Sequence, residues 1–243
     1  MSSANVTSKP LAGMTALVTG ASRGIGLAIA RRLAELGARL SLCARDATRL
    51  ESAAAALRKE GFEALAMIAD VTHANEIQSF VDRTHRELGP IDILINNAGI
   101  GRFGPAHQMS EADWDAVLDT NLKSVFLVTR AVAPGMIERK RGHIVNISSL
   151  AGKNAFANGG IYCASKWGLM GLTACMAEDL RAHNIRVSAV CPGSVATDFS
   201  PHTGRDTSKL LQPDDVAHAV ATLVTQAPQS FISEIDLRPT LKP

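Results

Sequence analysis

Short apolar runs alternate with helical repeats along nearly the whole chain. The apolar runs number seven and cover residues 14–19, 39–44, 63–69, 91–96, 143–148, 185–191 and 231–237. Two of the segments between them, which end at Gly61 and Gly89, space apolar residues as on one face of a helix. Strands that are apolar on both faces and separated by helices predict a parallel sheet covered on both sides. We therefore expect one doubly wound α/β domain with a seven-stranded parallel sheet over residues 14–243, preceded by a tail, residues 1–13.

Composition and charge exclude several classes of protein. The 243 residues, 46% hydrophobic and 20% charged, suffice for one large core, and the net charge of +2 comes without a basic tail. Nucleic acid is therefore not expected as a partner. No apolar run reaches the roughly 18 to 20 residues of a membrane span, and residues 1–13 lack a signal-like apolar stretch, so we expect a cytoplasmic protein with no membrane partner. Four cysteines without C-x-x-C spacing and scattered histidines predict buried reduced thiols and no metal site.

A glycine-rich turn follows the first predicted strand. Glycines lack a Cβ atom, so backbone N–H groups here can approach a phosphate at the positive end of the next helix. The candidate cofactor-binding residues of this turn are Gly20, Ser22, Arg23, Gly24, Ile25 and Gly26. The same letters also fit the G-x-S-x-G turn of serine hydrolases, with Ser22 as nucleophile. That alternative is disfavoured, because no earlier strand supplies an oxyanion donor and no Asp-then-His pair stands out downstream.

The turn after the second predicted strand bears on the choice of cofactor. An acidic residue here would accept hydrogen bonds from a free ribose 2′-hydroxyl, but position 44 is alanine. Arg23 and Arg45 can instead converge on a 2′-phosphate, which favours NADP(H) over NAD. Asp46 keeps NAD as an alternative, although this carboxylate is also well placed to cap the next helix.

Further candidate cofactor contacts lie at the ends of the third, fourth and sixth strands. Asp70 can bond an adenine amine, Asn97 can line the adenosine ribose, and Thr197 can clasp a nicotinamide carboxamide. Each can equally be a turn residue that bonds its own backbone. The accompanying turn positions are Val71, Ala98, Gly99, Pro192, Gly193 and Val195.

The side chains best suited to chemistry follow the fifth strand. Tyr162 is the only tyrosine, and Lys166 lies four residues later, so the two share one helix face. An ammonium roughly 5 Å from the phenol contributes about 3 kcal/mol, which would lower the phenol pKa from about 10 to about 8. Ser149 can then hold a carbonyl oxygen while Tyr162 supplies a proton. Asn121 falls on the apolar stripe of a helix capped by Ser110, as either a packed bridge or a functional group.

These motifs together resemble the short-chain dehydrogenase/reductase family over residues 14 to about 237. The match rests on TGASRGIG, NNAG, the helical Asn121, Ser149, Tyr162-x-x-x-Lys166 and PGSVAT. The resemblance implies a Rossmann-type sheet, usually in a homotetramer, and hydride transfer between a nicotinamide and a carbonyl or alcohol. It also implies that Tyr162 is the acid/base, that Ser149 positions the substrate oxygen, and that Lys166 lowers the phenol pKa and binds the nicotinamide ribose. Asn121 would hold, through its backbone carbonyl, a water linking Lys166 to solvent.

Within the family the sequence is similar to NADPH-dependent 3-oxoacyl reductases, so we expect reduction of a 3-oxoacyl group or a related ketone. The alternatives are an NAD-dependent dehydrogenase of a small hydroxy compound or sugar, and a non-catalytic dinucleotide-sensing module. The family's substrate lid, residues 198–212, looks short here, and residues 234–239 depart from the usual last strand. The basic run 139–141 can meet an acyl carrier protein or form a solvated loop.

The loops beyond the strand ends supply candidate substrate contacts. They are Arg102, Phe103, Phe156, Ser194, Phe199 and His202. These residues do not identify a substrate. Because aromatic residues make up only 4% of the chain, we expect no stacking platform for a steroid or flavonoid.

Overall fold

Seven parallel strands form a single sheet. A computed structural model describes residues 9–199 and 206–241. The strands are β1 (Thr15–Thr19), β2 (Arg39–Ala44), β3 (Ala64–Ile68), β4 (Ile91–Asn96), β5 (Gly142–Ile147), β6 (Ile185–Pro192) and β7 (Glu234–Leu237). Their order is β3-β2-β1-β4-β5-β6-β7, and every neighbouring pair is parallel. The predicted seven-stranded parallel sheet is confirmed.

Helices cover both faces of the sheet. They are α1 (Gly24–Glu35), α2 (Ala47–Lys59), α3 (Ala74–Leu88), α4 (Glu111–Leu118), α5 (Ser124–Arg139), α6 (Gly160–Arg181) and α7 (Pro213–Val224). Successive strand residues point to opposite faces, so Val18 joins one buried cluster with α1, α2 and α7, whereas Leu17 joins another with α3, α5 and α6. This two-sided burial explains why the strands are apolar throughout, and it confirms the doubly wound Rossmann-type fold.

The two ends of the domain differ from the prediction. Leu11, assigned to the tail, is 1% exposed in the core, and its N–H donates to the Leu36 carbonyl at 2.9 Å. Residues 9–13 therefore pack on the domain, while residues 1–8 lie outside the described part of the chain. The last strand begins at Glu234 rather than at Phe231. Just before it, the Ile232 carbonyl accepts a hydrogen bond from the Ser188 hydroxyl instead of from a backbone N–H group.

The helix predicted through Asn121 is present, but it is not α-helical throughout. The Ser110 hydroxyl caps α4 as expected, accepting from the Asp113 N–H at 3.1 Å. A π-helical turn, Asp119–Lys123, then joins α4 to α5. Because such a turn inserts an extra residue, it rotates the apolar stripe, and Trp114 and Phe126 are about half exposed instead of buried.

Two further expectations concern the cysteines and the membrane. Cys43, Cys163 and Cys191 are buried free thiols, but the prediction is wrong for Cys175, which is exposed on α6. Across residues 9–199 and 206–241, none of the helices combines the length and apolar character needed to cross a bilayer.

Candidate active site

A cleft of about 1720 Å³ lies at the carboxyl ends of the strands. Ligands of doubly wound sheets bind at this edge, because the crossover helices leave it open. Nearly all predicted site residues line the cleft: Gly20, Ser22, Arg23, Gly24, Ile25, Arg45, Asp70, Val71, Asn97, Ala98, Gly99, Ser149, Tyr162, Lys166, Pro192, Gly193, Val195 and Thr197. Gly26 and Asn121 do not line it, and each acts from behind the surface.

The glycine turn is shaped to bring backbone towards a ligand. Gly20 and Gly24 have φ angles of +65° and +55°, which favour glycine. Helix α1 begins at Gly24 with no side-chain cap and no acidic residue in its first turn. Its positive end is thus suited to a phosphate. Gly26, predicted among the cofactor-binding residues, makes room for the Gly20 carbonyl and the Asn97 side chain.

Asn97 serves as a clamp between two strand ends. Its Nδ2 donates to the Thr19 carbonyl at 2.9 Å and to the Gly20 carbonyl at 3.1 Å. The Thr19 hydroxyl in turn accepts from the N–H groups of Asn97 and Ala98, at 3.0 and 3.1 Å. Thr19 was not among the predicted site residues, although it opens the glycine motif. These bonds hold the glycine turn in place beside the end of β4.

The arginines proposed for a 2′-phosphate line the cleft but have carboxylate partners. Arg23 pairs with Asp198 at 2.6 Å, and Arg45 faces Asp70 at 3.8 Å. Burial opposes ionisation of Asp70, but hydrogen bonds from Thr72 and the charge of Arg45 outweigh it and lower the Asp70 pKa. Each arginine is thus paired with a carboxylate from a different strand end, Arg23 with one after β6 and Arg45 with one after β3.

Asp46 has a structural role. Its Oδ1 accepts from the Arg49 N–H at 3.0 Å and caps α2, as predicted. The Asp46 carboxylate, which left NAD as an alternative cofactor, therefore caps its own helix. Arg45 is mostly exposed, and both Arg45 and Asp46 line the cleft.

Tyr162 and Lys166 share a face of α6, and Ser149 lies two residues after the end of β5. The Lys166 ammonium lies 5.9 Å from the centre of the Tyr162 ring and donates to the Ile147 carbonyl at 2.9 Å. The Ser149 hydroxyl is directed to the Pro192 carbonyl at 3.4 Å and accepts from the Ala151 N–H. The side chains of Ser149, Tyr162 and Lys166 are apart in the sequence but lie close together in the cleft.

The predicted lowering of the Tyr162 pKa is wrong for the ligand-free cleft. Burial raises this pKa to about 12, and the neighbouring Ser149 hydroxyl only partly opposes the change. Burial likewise lowers the Lys166 pKa to about 8. The ammonium contributes little because it is desolvated and directed at the Ile147 carbonyl instead of the phenol oxygen.

Three phenylalanines surround Tyr162. The ring centres of Phe103 and Phe199 lie 5.5 and 5.8 Å from that of Tyr162, and Phe156 lies 6.2 Å from Phe103. The expectation that the pocket lacks a stacking platform is therefore wrong. The chain has only seven phenylalanines, but the fold gathers three of them here.

The remaining substrate candidates have different positions. Ser194 lines the cleft, whereas Arg102 does not and pairs with Asp113 at 3.4 Å. His202 and the central part of the predicted lid, residues 200–205, lie outside the described residues. The end of the lid is anchored, because the Ala196 N–H donates to the Leu211 carbonyl at 2.8 Å.

Comparison with known proteins fits this geometry. Residues 14–208 match the short chain dehydrogenase family. The chain belongs to this family. A putative ketoacyl reductase 1 of the granaticin polyketide synthase of Streptomyces violaceoruber is 46% identical over 199 residues, covering 81% of this chain and 73% of that protein. The 3-oxoacyl-[acyl-carrier-protein] reductase of a Synechocystis species is 36% identical over 231 residues, covering 92% and 94%.

Solved structures of the short-chain dehydrogenase family share the same fold. A metagenomic short-chain oxidoreductase in complex with NADP superposes with a TM-score of 0.86 at 50% identity, covering 96% of this chain and all of that chain. The seven-stranded parallel sheet with helices on both faces is thus the fold of this family.

Asn121 connects three segments of this short-chain dehydrogenase. It is 1% exposed, and its amide exchanges hydrogen bonds with the N–H and carbonyl of Ile100 at 2.8 and 2.9 Å. It also donates to the Ser165 hydroxyl, which donates to the Tyr162 carbonyl at 2.7 Å. Of the two interpretations left open, the side chain fits the packed bridge. The role of its backbone carbonyl in holding a water stays a prediction.

The serine hydrolase alternative finds no support. No histidine lines the cleft within residues 9–199 and 206–241, so Ser22 has no general base among the described lining residues. Ser22 lies instead in the turn that precedes α1.

One wall of the cleft is absent from the predicted site. Arg238, Pro239 and Thr240 follow β7 and line the cleft. The Gly193 N–H donates to the Leu237 carbonyl at 2.8 Å and so fixes this segment beside the nicotinamide turn predicted after β6. The rule that ligands bind beyond strand ends could have identified it, had it been applied to the last strand as well.

The single tyrosine allows a direct test of the pKa. Because burial favours the neutral phenol, Tyr162 in the folded protein should stay protonated above pH 10.0, its ordinary pKa, and should titrate only near pH 12. Stability from this group is present below pH 10 and is lost as the pH rises towards 12. Ultraviolet absorbance of the phenolate measures the titration, with denaturant-unfolded protein as control. A folded-state pKa near 10 would contradict the effect of burial.

Proposed function

We propose that this protein reduces ketones to alcohols with NADPH, and that a 3-oxoacyl group or a related ketone is its substrate. The observation that carries the proposal is the meeting of Ser149, Tyr162 and Lys166 at one end of a cleft whose other end is the glycine turn. That turn fits a dinucleotide, since it offers an uncapped helix N-terminus and glycines with positive φ. Gly20, Gly24 and Arg45 would hold the cofactor, with Lys166 on the nicotinamide ribose.

The chemistry divides between the cofactor and the chain. When bound, the nicotinamide supplies the hydride for the carbonyl carbon. The Ser149 hydroxyl orients the carbonyl oxygen, and the Tyr162 hydroxyl donates its proton to that oxygen as the alcohol forms. Lys166, whose pKa burial lowers to about 8, lies on the same face of α6, with its ammonium 5.9 Å from the centre of the phenol ring. A ketone, one hydride and one proton thus give one alcohol.

A panel of carbonyl compounds tests the proposed function. Purified protein should oxidise NADPH in the presence of β-ketoesters and diketones, followed by loss of NADPH absorbance. Binding of NADPH without turnover on any carbonyl or alcohol would contradict the proposal and favour a dinucleotide sensor. Turnover with NAD and a hydroxy compound alone would favour the dehydrogenase alternative.

Arg45 should set the preference for NADPH. In Arg45→Asp the guanidinium is lost and a carboxylate repels the 2′-phosphate, so we expect the ratio of kcat/KM for NADPH over NADH to fall by about 10- to 100-fold. Arg86→Asp is the matched control, because it makes the same charge change at an exposed position outside the cleft. An unchanged ratio in Arg45→Asp would remove this arginine from the cofactor site.

The proposals for the oligomeric state, the protein partner and the cellular location rest on the sequence alone. We propose a homotetramer from the family resemblance and a cytoplasmic location from the composition. Contact of an acyl carrier protein with the basic run 139–141 gains no support. Arg139 and Arg141 bond the Ile91 carbonyl and the Asp92 side chain, at the amino ends of the strands and opposite the cleft.

A further inference from the structure

The three phenylalanines beside Tyr162 come from three separate loops. Phe103 follows β4, Phe156 follows β5 and Phe199 follows β6, and all three line the cleft. They are 42%, 50% and 41% exposed, whereas Tyr162 is only 9% exposed. The rings therefore shield the phenol and still present apolar surface to the cleft. We refer to Phe103, Phe156 and Phe199 as the phenylalanine cluster.

Two glycines make the phenylalanine cluster possible. A Cβ atom on Gly101 would lie 2.7 Å from the Phe103 ring and 3.0 Å from the Phe199 ring. One on Gly159 would overlap the Phe156 ring, directly before α6. Neither glycine has a positive φ angle, so each is needed for the space it leaves. The backbone is thus shaped to admit these rings.

The exposure of the cluster points to a ligand. Half-exposed aromatic rings grouped in a cleft leave apolar area in water that a bound apolar group would cover. Aromatic rings with centres about 4.5 to 7 Å apart attract each other beyond the effect of the area that they bury. The spacings of 5.5 to 6.2 Å show that these loops already hold rings in that range. A flat aromatic group therefore fits the cluster better than a sugar, whose hydroxyls would face hydrocarbon.

We propose that the phenylalanine cluster binds an aryl group attached to the reacting carbonyl, which makes aryl ketones the preferred substrates. This inference rests on the proposed function, because it assumes that the carbonyl is reduced beside Tyr162. The cluster acts on specificity: it positions the group next to the carbonyl carbon, and Ser149 and Tyr162 act on the oxygen.

Three matched β-ketoesters test the inference. Ethyl benzoylacetate carries a phenyl group on the ketone, ethyl acetoacetate carries a methyl group, and the cyclohexyl analogue has similar bulk without a flat face. We expect kcat/KM to be at least about tenfold higher for the phenyl ester than for the methyl ester, with the cyclohexyl ester between them. Equal values for phenyl and methyl would overturn the proposal.

Variants assign the preference to the cluster. Phe103→Leu and Phe156→Leu keep apolar bulk but remove the ring, so each should lower kcat/KM for the phenyl ester by about three- to tenfold and for the methyl ester by less than about twofold. Phe231→Leu is the matched control, since Phe231 is similarly exposed but lies outside the cleft, and it should change neither value. Equal losses for both esters would contradict an aryl site.

A binding measurement separates this inference from the proposed function. Calorimetric titration of the esters into NADP-loaded Tyr162→Phe protein reports affinity without turnover. Tighter binding of the phenyl ester than of the methyl ester supports the cluster even if no ketone is reduced by the wild type. Equal affinities for the phenyl and methyl esters would overturn the proposed aryl site, whether or not the wild type reduces either ester.

Discussion

Replacing Tyr162 with phenylalanine is expected to lower kcat for ketone reduction by about 100- to 10,000-fold, the usual contribution of a positioned acid. The substitution removes one hydroxyl and leaves the ring, so the contacts with Phe103 and Phe199 remain. Steady-state kinetics with ethyl acetoacetate measures the loss, and calorimetry measures the affinity for NADPH. We expect that affinity to stay within about threefold of wild type, because the proposed cofactor contacts on the glycine turn are untouched.

Two outcomes would contradict the assignment of Tyr162. A kcat within about tenfold of wild type would mean that another group supplies the proton. Equal losses of turnover and of NADPH affinity would mean that the hydroxyl acts in binding rather than in proton transfer. Thermal unfolding of the variant, compared with wild type, confirms that the fold is retained.

Replacing Gly26 with alanine is expected to destabilise the protein by about 3 kcal/mol or more, at the upper end of overpacking effects. The added methyl group would overlap the Gly20 carbonyl and the Asn97 side chain, which are held by the clamp at Thr19. Neither is the free end of a flexible chain, so the glycine turn itself must shift. The midpoint of thermal unfolding should fall by about 6 to 12 °C.

Gly171→Ala provides the control for this prediction. Gly171 also lies in a helix, but an added methyl group there meets no atom within 4 Å. Alanine is the better helix former by about 1 kcal/mol, so this variant should be as stable as wild type or more stable. NADPH affinity should fall in Gly26→Ala and persist in Gly171→Ala. Similar unfolding temperatures for both variants would contradict the packing argument.

The sheet and most of the cleft could be predicted because they follow from local sequence pattern. Strands buried on both faces are apolar throughout, and the residue after each strand must reach the same edge of a parallel sheet. Arg45, Ser149 and Thr197 were placed correctly on that reasoning alone. Arg238 was missed because it follows a short, half-exposed strand whose pattern looked atypical.

Other features depend on tertiary contacts that no local pattern contains. The π-helical turn at Asn121 cannot be read from apolar spacing, since the same residues also fit a continuous helix. The pKa of Tyr162 depends on burial at a site where rings from two loops, Phe103 and Phe199, contact it, whereas the spacing along α6 suggests only the charge of Lys166. In the same way, a low aromatic content says nothing about where the few rings gather.

The amide of Asn121 has a consequence for how substrate preference can diverge. It holds both backbone groups of Ile100 and, through Ser165, the turn of α6 that carries Tyr162. The loop with Phe103 begins only after that anchor. Its sequence can therefore be exchanged by grafting, or drift during evolution, while Tyr162 keeps its place. The architecture separates an anchored segment that carries Tyr162 from a loop that can be replaced.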